Sequence, residues 1–167
     1  TITVVTTDND GETATTTSTI SVADINDGPT NTTDNGVMDE YDGSVTVSYN
    51  AADVDGTIIS TTATVPAAQG TVTINESNGN ITFTPAENFN GDATITLVTT
   101  DNDGDTATTT STISVADIND GPTITTDNGV IVVDDGSATV SYNAADVDGT
   151  IISTTATVPA AHGTVTN

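Results

Sequence analysis

Thr94-Ile-Thr-Leu-Val-Thr-Thr-Asp-Asn-Asp-Gly-Asp-Thr-Ala-Thr-Thr-Thr-Ser-Thr-Ile-Ser-Val-Ala-Asp-Ile-Asn-Asp-Gly-Pro-Thr123 is the stretch that decides the fold. Apolar residues alternate with Thr and Ser on both sides of an acidic turn, the pattern of two half-buried strands in a hairpin. A Gly-Pro pair then stops the second strand. The same stretch opens the chain at Thr1–Thr30, with Val4 in place of Leu97 and Glu12 in place of Asp105. The repetition continues. Residues 1–74 and 94–167 align without a gap at an offset of 93, and 64 of the 74 pairs are identical. The other eight differences are Asn31/Ile124, Met38/Ile131, Asp39/Val132, Glu40/Val133, Tyr41/Asp134, Val45/Ala138, Gln69/His162 and Ile74/Asn167. A fixed period is the mark of an array, and this period is the size of one small β-sandwich.

The Asp-Ile-Asn-Asp-Gly-Pro segments at 24–29 and 117–122 read as linkers. They divide the chain into the last two strands of one unit (1–27), a complete unit (28–120) and the opening of a third (121–167). The complete unit reads as seven strands, A to G. A lies near 30–38. B spans 44–50, with Val45, Val47 and Tyr49 on one face. C lies near 57–65. D spans 70–75, with Val72 and Ile74 inward. The Asn78-Gly79 turn leads into E, where Ile81 and Phe83 face in. F spans 93–100, with Ile95 and Leu97 inward, and G spans 106–116, with Ile113 and Val115 inward. The third segment is expected to carry strands A to D. No helical spacing occurs. The expected fold is all-β: tandem Ig-like, seven-strand antiparallel sandwiches in a linear array. Cys…Trp…Cys is absent, which argues against an antibody-type domain.

Charge sets the chemistry. The chain has 24 acidic residues, no Lys, no Arg and one His, for a net charge of −24. Self-repulsion opposes compaction unless a cation neutralises it. Nucleic acid and anionic membrane surfaces are poor partners, because both call for basic residues. There is no Cys, so disulfides are excluded. Aromatic residues make up 3%, so each core is small and burial alone leaves a unit of this size marginal.

The acidic residues gather at turns and linkers. Asp53 and Asp55 lie between B and C, and recur as Asp146 and Asp148. Asp101, Asp103 and Asp105 join F to G, and recur earlier as Asp8, Asp10 and Glu12. The linkers add Asp24, Asn26, Asp27 and Asp117, Asn119, Asp120. Asp, Asn and Gly are good turn formers in their own right. They are also the ligand set of Ca2+, a hard ion that takes about 6–8 oxygens. Thiol ligands are missing. In a seven-strand sandwich the B–C and F–G loops lie at the end where the chain enters. Asp24, Asn26 and Asp27 are therefore expected to meet Asp53, Asp55 and the 101–105 loop. At the far end, Asp39, Glu40, Asp42, Glu87 and Asp92 are expected to approach linker 117–120, with Glu40, Asp42 and Glu87 as the weaker ligands. Asp42 has its counterpart in Asp135, whereas Glu40 is replaced by Val133.

The order of short motifs resembles the cadherin-like tandem repeats of very large bacterial surface adhesins, the group that includes VCBS-type repeats. The motifs are Asp53-Val-Asp-Gly-Thr57, Gly70-Thr-Val-Thr-Ile74, Ile81-Thr-Phe-Thr-Pro85, Asn88-Phe-Asn-Gly91, Thr99-Thr-Asp-Asn-Asp-Gly104 and Val115-Ala-Asp-Ile-Asn-Asp120. The resemblance covers the whole unit. In cadherins an Asp-x-Asn-Asp linker shares calcium with the Asp-x-Asp loop of the next domain and with acidic loops of the previous one. The matching residues are Asp24, Asn26 and Asp27, and Asp117, Asn119 and Asp120, with Asp53/Asp55 and Asp146/Asp148. The adhesion-interface Trp of cell–cell cadherins has no counterpart, so strand-swap adhesion does not carry over. The resemblance implies a secreted, cell-surface extender stiffened by Ca2+, whose partners are the ions and the neighbouring repeats, with homotypic lateral or fibre contacts as a further option.

A glycan- or protein-binding module and a strand-exchanging fibre subunit are the alternatives. An enzyme is not expected: no Ser sits near a His base, and the sole His162 is Gln69 in the other copy. Tyr49 and Tyr142 alternate with valines and read as core. The sequons at Asn31, Asn75 and Asn80 carry little weight, and the Thr13–Thr19 run reads as a solvated strand face.

Overall fold

The alternation read in the sequence is realised as strands. A computed structural model describes residues 1–132, 134 and 136–166. Two strands, β1 (Ile2–Thr7) and β2 (Thr13–Ser18), form an antiparallel hairpin. The complete unit follows as β3 (Thr30–Thr33), β4 (Gly36–Asp39), β5 (Val45–Ala52), β6 (Ile58–Thr64), β7 (Gly70–Asn75), β8 (Asn80–Pro85), β9 (Gly91–Asp101) and β10 (Thr106–Ala116). Then come β11 (Thr123–Thr126), paired with β12 (Tyr142–Ala145), and a 3-10 turn at Ala160–His162.

The unit is a sandwich of two four-stranded sheets, ordered β3-β5-β8-β7 and β4-β10-β9-β6. Strand A proves to be two strands. β3 pairs antiparallel with β5 in one sheet, and β4 crosses over to pair parallel with β10 in the other. The break falls at Asp34-Asn35, where Asn35 Oδ1 accepts the N–H of Thr112 at 2.8 Å and the Asp34 carbonyl accepts the Ser111 hydroxyl at 2.5 Å. β6 carries an irregularity between Ile58 and Ser60 that leaves Ile59 outward.

The core lies between the sheets. Ile81, Phe83, Ile95, Leu97 and Ile113 are fully buried, with Met38, Val47, Ala93 and Val115 beside them. Val45, Tyr49, Val72 and Ile74 pack against this cluster from partly buried positions. Tyr142 is 54% exposed, unlike Tyr49. Tyr142 stands on β12, which pairs with β11, whereas β5, which carries Tyr49, pairs with both β3 and β8. Of the strands A to D expected in the third segment, those equivalent to β6 and β7 are not strands among its described residues. Asp135 and Val133, the counterparts of Asp42 and Glu40, lie outside the described residues.

Gly70 opens β7 at φ +150°, and a Cβ there would meet the Thr84 carbonyl oxygen and the Phe83 ring. Any side chain must both strain the backbone and displace the hairpin partner. Gly70→Ala is expected to lower stability by about 1–3 kcal/mol, read as a lower urea midpoint at unchanged slope.

Candidate functional site

Strand order dictates what meets at each end. β5 ends, β6 begins, β9 ends and β10 begins at the end of the sandwich where the chain enters β3. In the turn between β5 and β6, Asp53 Oδ1 accepts the N–H groups of Asp55 (3.1 Å) and Gly56 (2.8 Å). A Cβ on Gly56 would lie 2.6 Å from Asn102 Oδ1, so glycine is needed for the two loops to close on each other. That oxygen accepts the N–H of Thr57 at 2.6 Å, and the Asn102 N–H returns a bond to the Thr57 carbonyl at 3.0 Å.

Asp101 ends β9 and is fully buried. Its Oδ1 accepts the N–H groups of Asp103 (2.9 Å) and Asp105 (2.8 Å). Burial works to raise its pKa. The backbone N–H bonds and the Asn26 amide outweigh burial and bring the pKa below the usual value, so Asp101 stays ionised. The same fold of the loop recurs in the β1–β2 hairpin, where Asp8 Oδ1 accepts from Asp10 and Glu12.

The linker joins these loops. Asn26 Nδ2 donates to Asp105 Oδ2 at 2.9 Å and approaches Asp101 Oδ2 at 3.5 Å. The Asp27 N–H is shared by the two carboxylate oxygens of Asp55, at 3.3 and 3.2 Å. That N–H is the strongest single influence on Asp55 and lowers its pKa. Burial, the neighbouring Asp53 carboxylate and the charges of Asp24 and Asp27 together exceed it, so the Asp55 pKa rises. Asp53 Oδ2 is buried and has no hydrogen-bond partner. Among the described residues no three carboxylates converge closely enough to hold an ion as they stand.

At the far end the linker 117–120 is engaged in turn. Asn90 Nδ2 donates to Asp117 Oδ1 at 2.9 Å, and Glu40 Oε1 accepts the Ile118 N–H at 2.7 Å. The Tyr41 hydroxyl donates to Asp120 Oδ1. This bond and the Asp120 charge push the phenol pKa up to about 12. The Asn119 amide donates to the Asp120 carbonyl at 2.9 Å. The Asp120 N–H donates to Asp148 Oδ2 at 2.9 Å and holds the Asp148 carboxyl below the usual range. Asp146 Oδ1 accepts the Gly149 N–H at 2.8 Å, as Asp53 does for Gly56. Of the weaker candidates only Glu40 reaches the linker. Asp42 caps its own turn by accepting the Asp39 N–H at 2.8 Å, Asp92 binds the Ser114 hydroxyl at 2.6 Å, and Glu87 is exposed.

Asn102 and Tyr41 were not singled out as site residues by sequence reasoning. Asn102 had a signal, being the middle residue of Asp101-Asn-Asp103. Tyr41 had only its difference from Asp134 in the other copy.

The residues fit a hard cation on chemical grounds. Every candidate side chain in both junctions offers oxygen, one buried carboxylate oxygen lacks a partner, and Asp55 ionises against its neighbours. No lysine or arginine exists to answer those charges.

A two-sheet sandwich, antiparallel except where β4 runs parallel to β10, with acidic linkers at both ends defines a cadherin-like repeat. A bacterial cadherin-like domain family matches residues 26–117, more than half of the chain. The chain therefore belongs to the bacterial cadherin-like domain family, a non-enzymatic fold family whose domains are typically extracellular and surface-associated. No curated protein matches the chain. No helix among the described residues is long and apolar enough to cross a membrane.

Proposed function

We propose that the chain is an extender segment of a secreted bacterial surface adhesin or filament, with Ca2+ bound at the junctions between consecutive repeats. The observation that carries this reading is the duplicated junction. The Asp27 N–H meets the Asp55 carboxylate, and 93 residues later the Asp120 N–H meets the Asp148 carboxylate. Linker and Asp-x-Asp-Gly loop are thus held in one relation at both places.

Asp53, Asp55, Asp101, Asp103 and Asp105 would hold the ion at the first junction, with Asp24, Asn26 and Asp27 from the linker. Asp117, Asn119, Asp120, Asp146 and Asp148 would do so at the second. Calcium would draw the junction carboxylates together and offset the repulsion between them. The protein supplies pre-formed loops. Backbone N–H groups fix the Asp53 and Asp101 carboxylates, so little ordering remains at binding.

Small-angle scattering tests the reading. The maximum dimension should grow and the angular spread narrow when millimolar calcium replaces chelator. An identical scattering profile in both conditions would overturn the proposal.

A further inference from the structure

Glu40 and Tyr41 stand in the turn between β4 and β5, at the exit end of the complete unit. Glu40 Oε1 accepts the Ile118 N–H at 2.7 Å. The Tyr41 hydroxyl donates to the Asp120 carboxylate. The Asp120 N–H donates in turn to Asp148 of the following repeat at 2.9 Å. The linker is therefore gripped from the unit it leaves and from the unit it enters, entirely by protein groups.

We propose that Tyr41 is a positioning residue that, with Glu40, aligns linker 117–120 without any cation. This inference rests on the extender reading only in treating Asp120 as a ligand; the hydrogen bonds need no metal. A phenol suits the task in this chain. With no lysine or arginine in the chain, hydroxyl, amide and backbone N–H groups are the donors at hand for a carboxylate. Tyrosine reaches furthest of the hydroxyl donors, and its few torsions make it cheap to order.

The tie belongs to this junction and is not a general property of the repeat. The corresponding positions in the next copy are Val133 and Asp134. Valine offers no acceptor for a linker N–H. Aspartate donates nothing and adds a negative charge. Consecutive junctions of one array therefore differ in how much order they keep when the cation is withdrawn.

Amide hydrogen exchange of the whole chain in chelator tests the idea, with Ile25 as an internal reference. Ile25 and Ile118 share the sequence Asp-Ile-Asn-Asp, so their unprotected rates are the same. Ile118 should exchange several-fold more slowly than Ile25. Glu40→Val should bring the two rates together, whereas Glu40→Gln, which keeps an acceptor, should preserve the gap. Tyr41→Phe should speed exchange at Asp120 by roughly three- to tenfold, the worth of one hydrogen bond. Equal rates at Ile25 and Ile118 in the unmodified chain, or no change at Asp120 in Tyr41→Phe, would overturn the proposal. If calcium leaves the scattering profile unchanged while Tyr41→Phe still alters exchange, the extender reading falls and the tie stands. If scattering responds to calcium but exchange is uniform, the reverse holds.

Discussion

Phe83→Ala is expected to unfold the central unit. Phe83 is fully buried in a core of only nine buried apolar residues, and truncating a buried Phe costs about 3–5 kcal/mol. Small domains are stable by about 5–15 kcal/mol, and one with so little core sits near the lower bound. The variant should show no cooperative urea transition at room temperature in chelator. Val37→Ala, at a site 79% exposed, should stay within about 0.5 kcal/mol of the parent. A Phe83→Ala protein that lost less than about 1 kcal/mol would mean that the sheets are held together elsewhere.

The second large effect is that of calcium on thermal stability. An ion that binds only the folded junction stabilises by about 2.7 kcal/mol at one hundred times its dissociation constant. For a domain of this size that corresponds to a midpoint rise of more than about 10 °C. Asp101→Asn separates the fold from the ion. The asparagine Oδ1 still accepts the Asp103 and Asp105 N–H groups, so the loop keeps its shape. Its charge is gone, and the calcium-dependent rise should shrink to a small fraction of the parent's. A full rise in Asp101→Asn would remove Asp101 from the ligand set, and no rise in the parent would remove calcium itself.

Much of this was legible in the residues. β7 and β10 fall where alternation and turn signals placed them, because Asn78-Gly79 and the Asp101–Asp105 turn bound runs with one apolar face. Ile81, Phe83, Ile95, Leu97 and Ile113 face inward as their spacing requires. The split of strand A was not legible. Asp34-Asn35 looks like part of a polar strand, and only the bonds to Ser111 and Thr112 in the opposite sheet explain the crossing. Thr99 and Asp101 carry no sign of burial either. Asp101 is tolerated inside because its own loop satisfies it, and Thr99 because Asn31 Nδ2 donates to it at 3.1 Å. For Thr99 that partner lies 68 residues away, beyond the reach of any local pattern. The meeting of Asn26 with the 101–105 loop and of Asp27 with Asp55 did follow from strand order. The tie from Tyr41 did not, since a lone tyrosine in a turn advertises no partner.

The crossing of the first strand has a mechanical consequence. β4 enters beside the last strand, β10, and runs parallel to it, with Gly36–Asp39 opposite Ile113–Ala116. When the two ends of the unit are pulled apart, these neighbours slide lengthwise past each other, so their hydrogen bonds carry the load in shear and must give way together instead of unzipping singly. A tether built from such units would resist flow at the seam where the second and last strands of each run side by side.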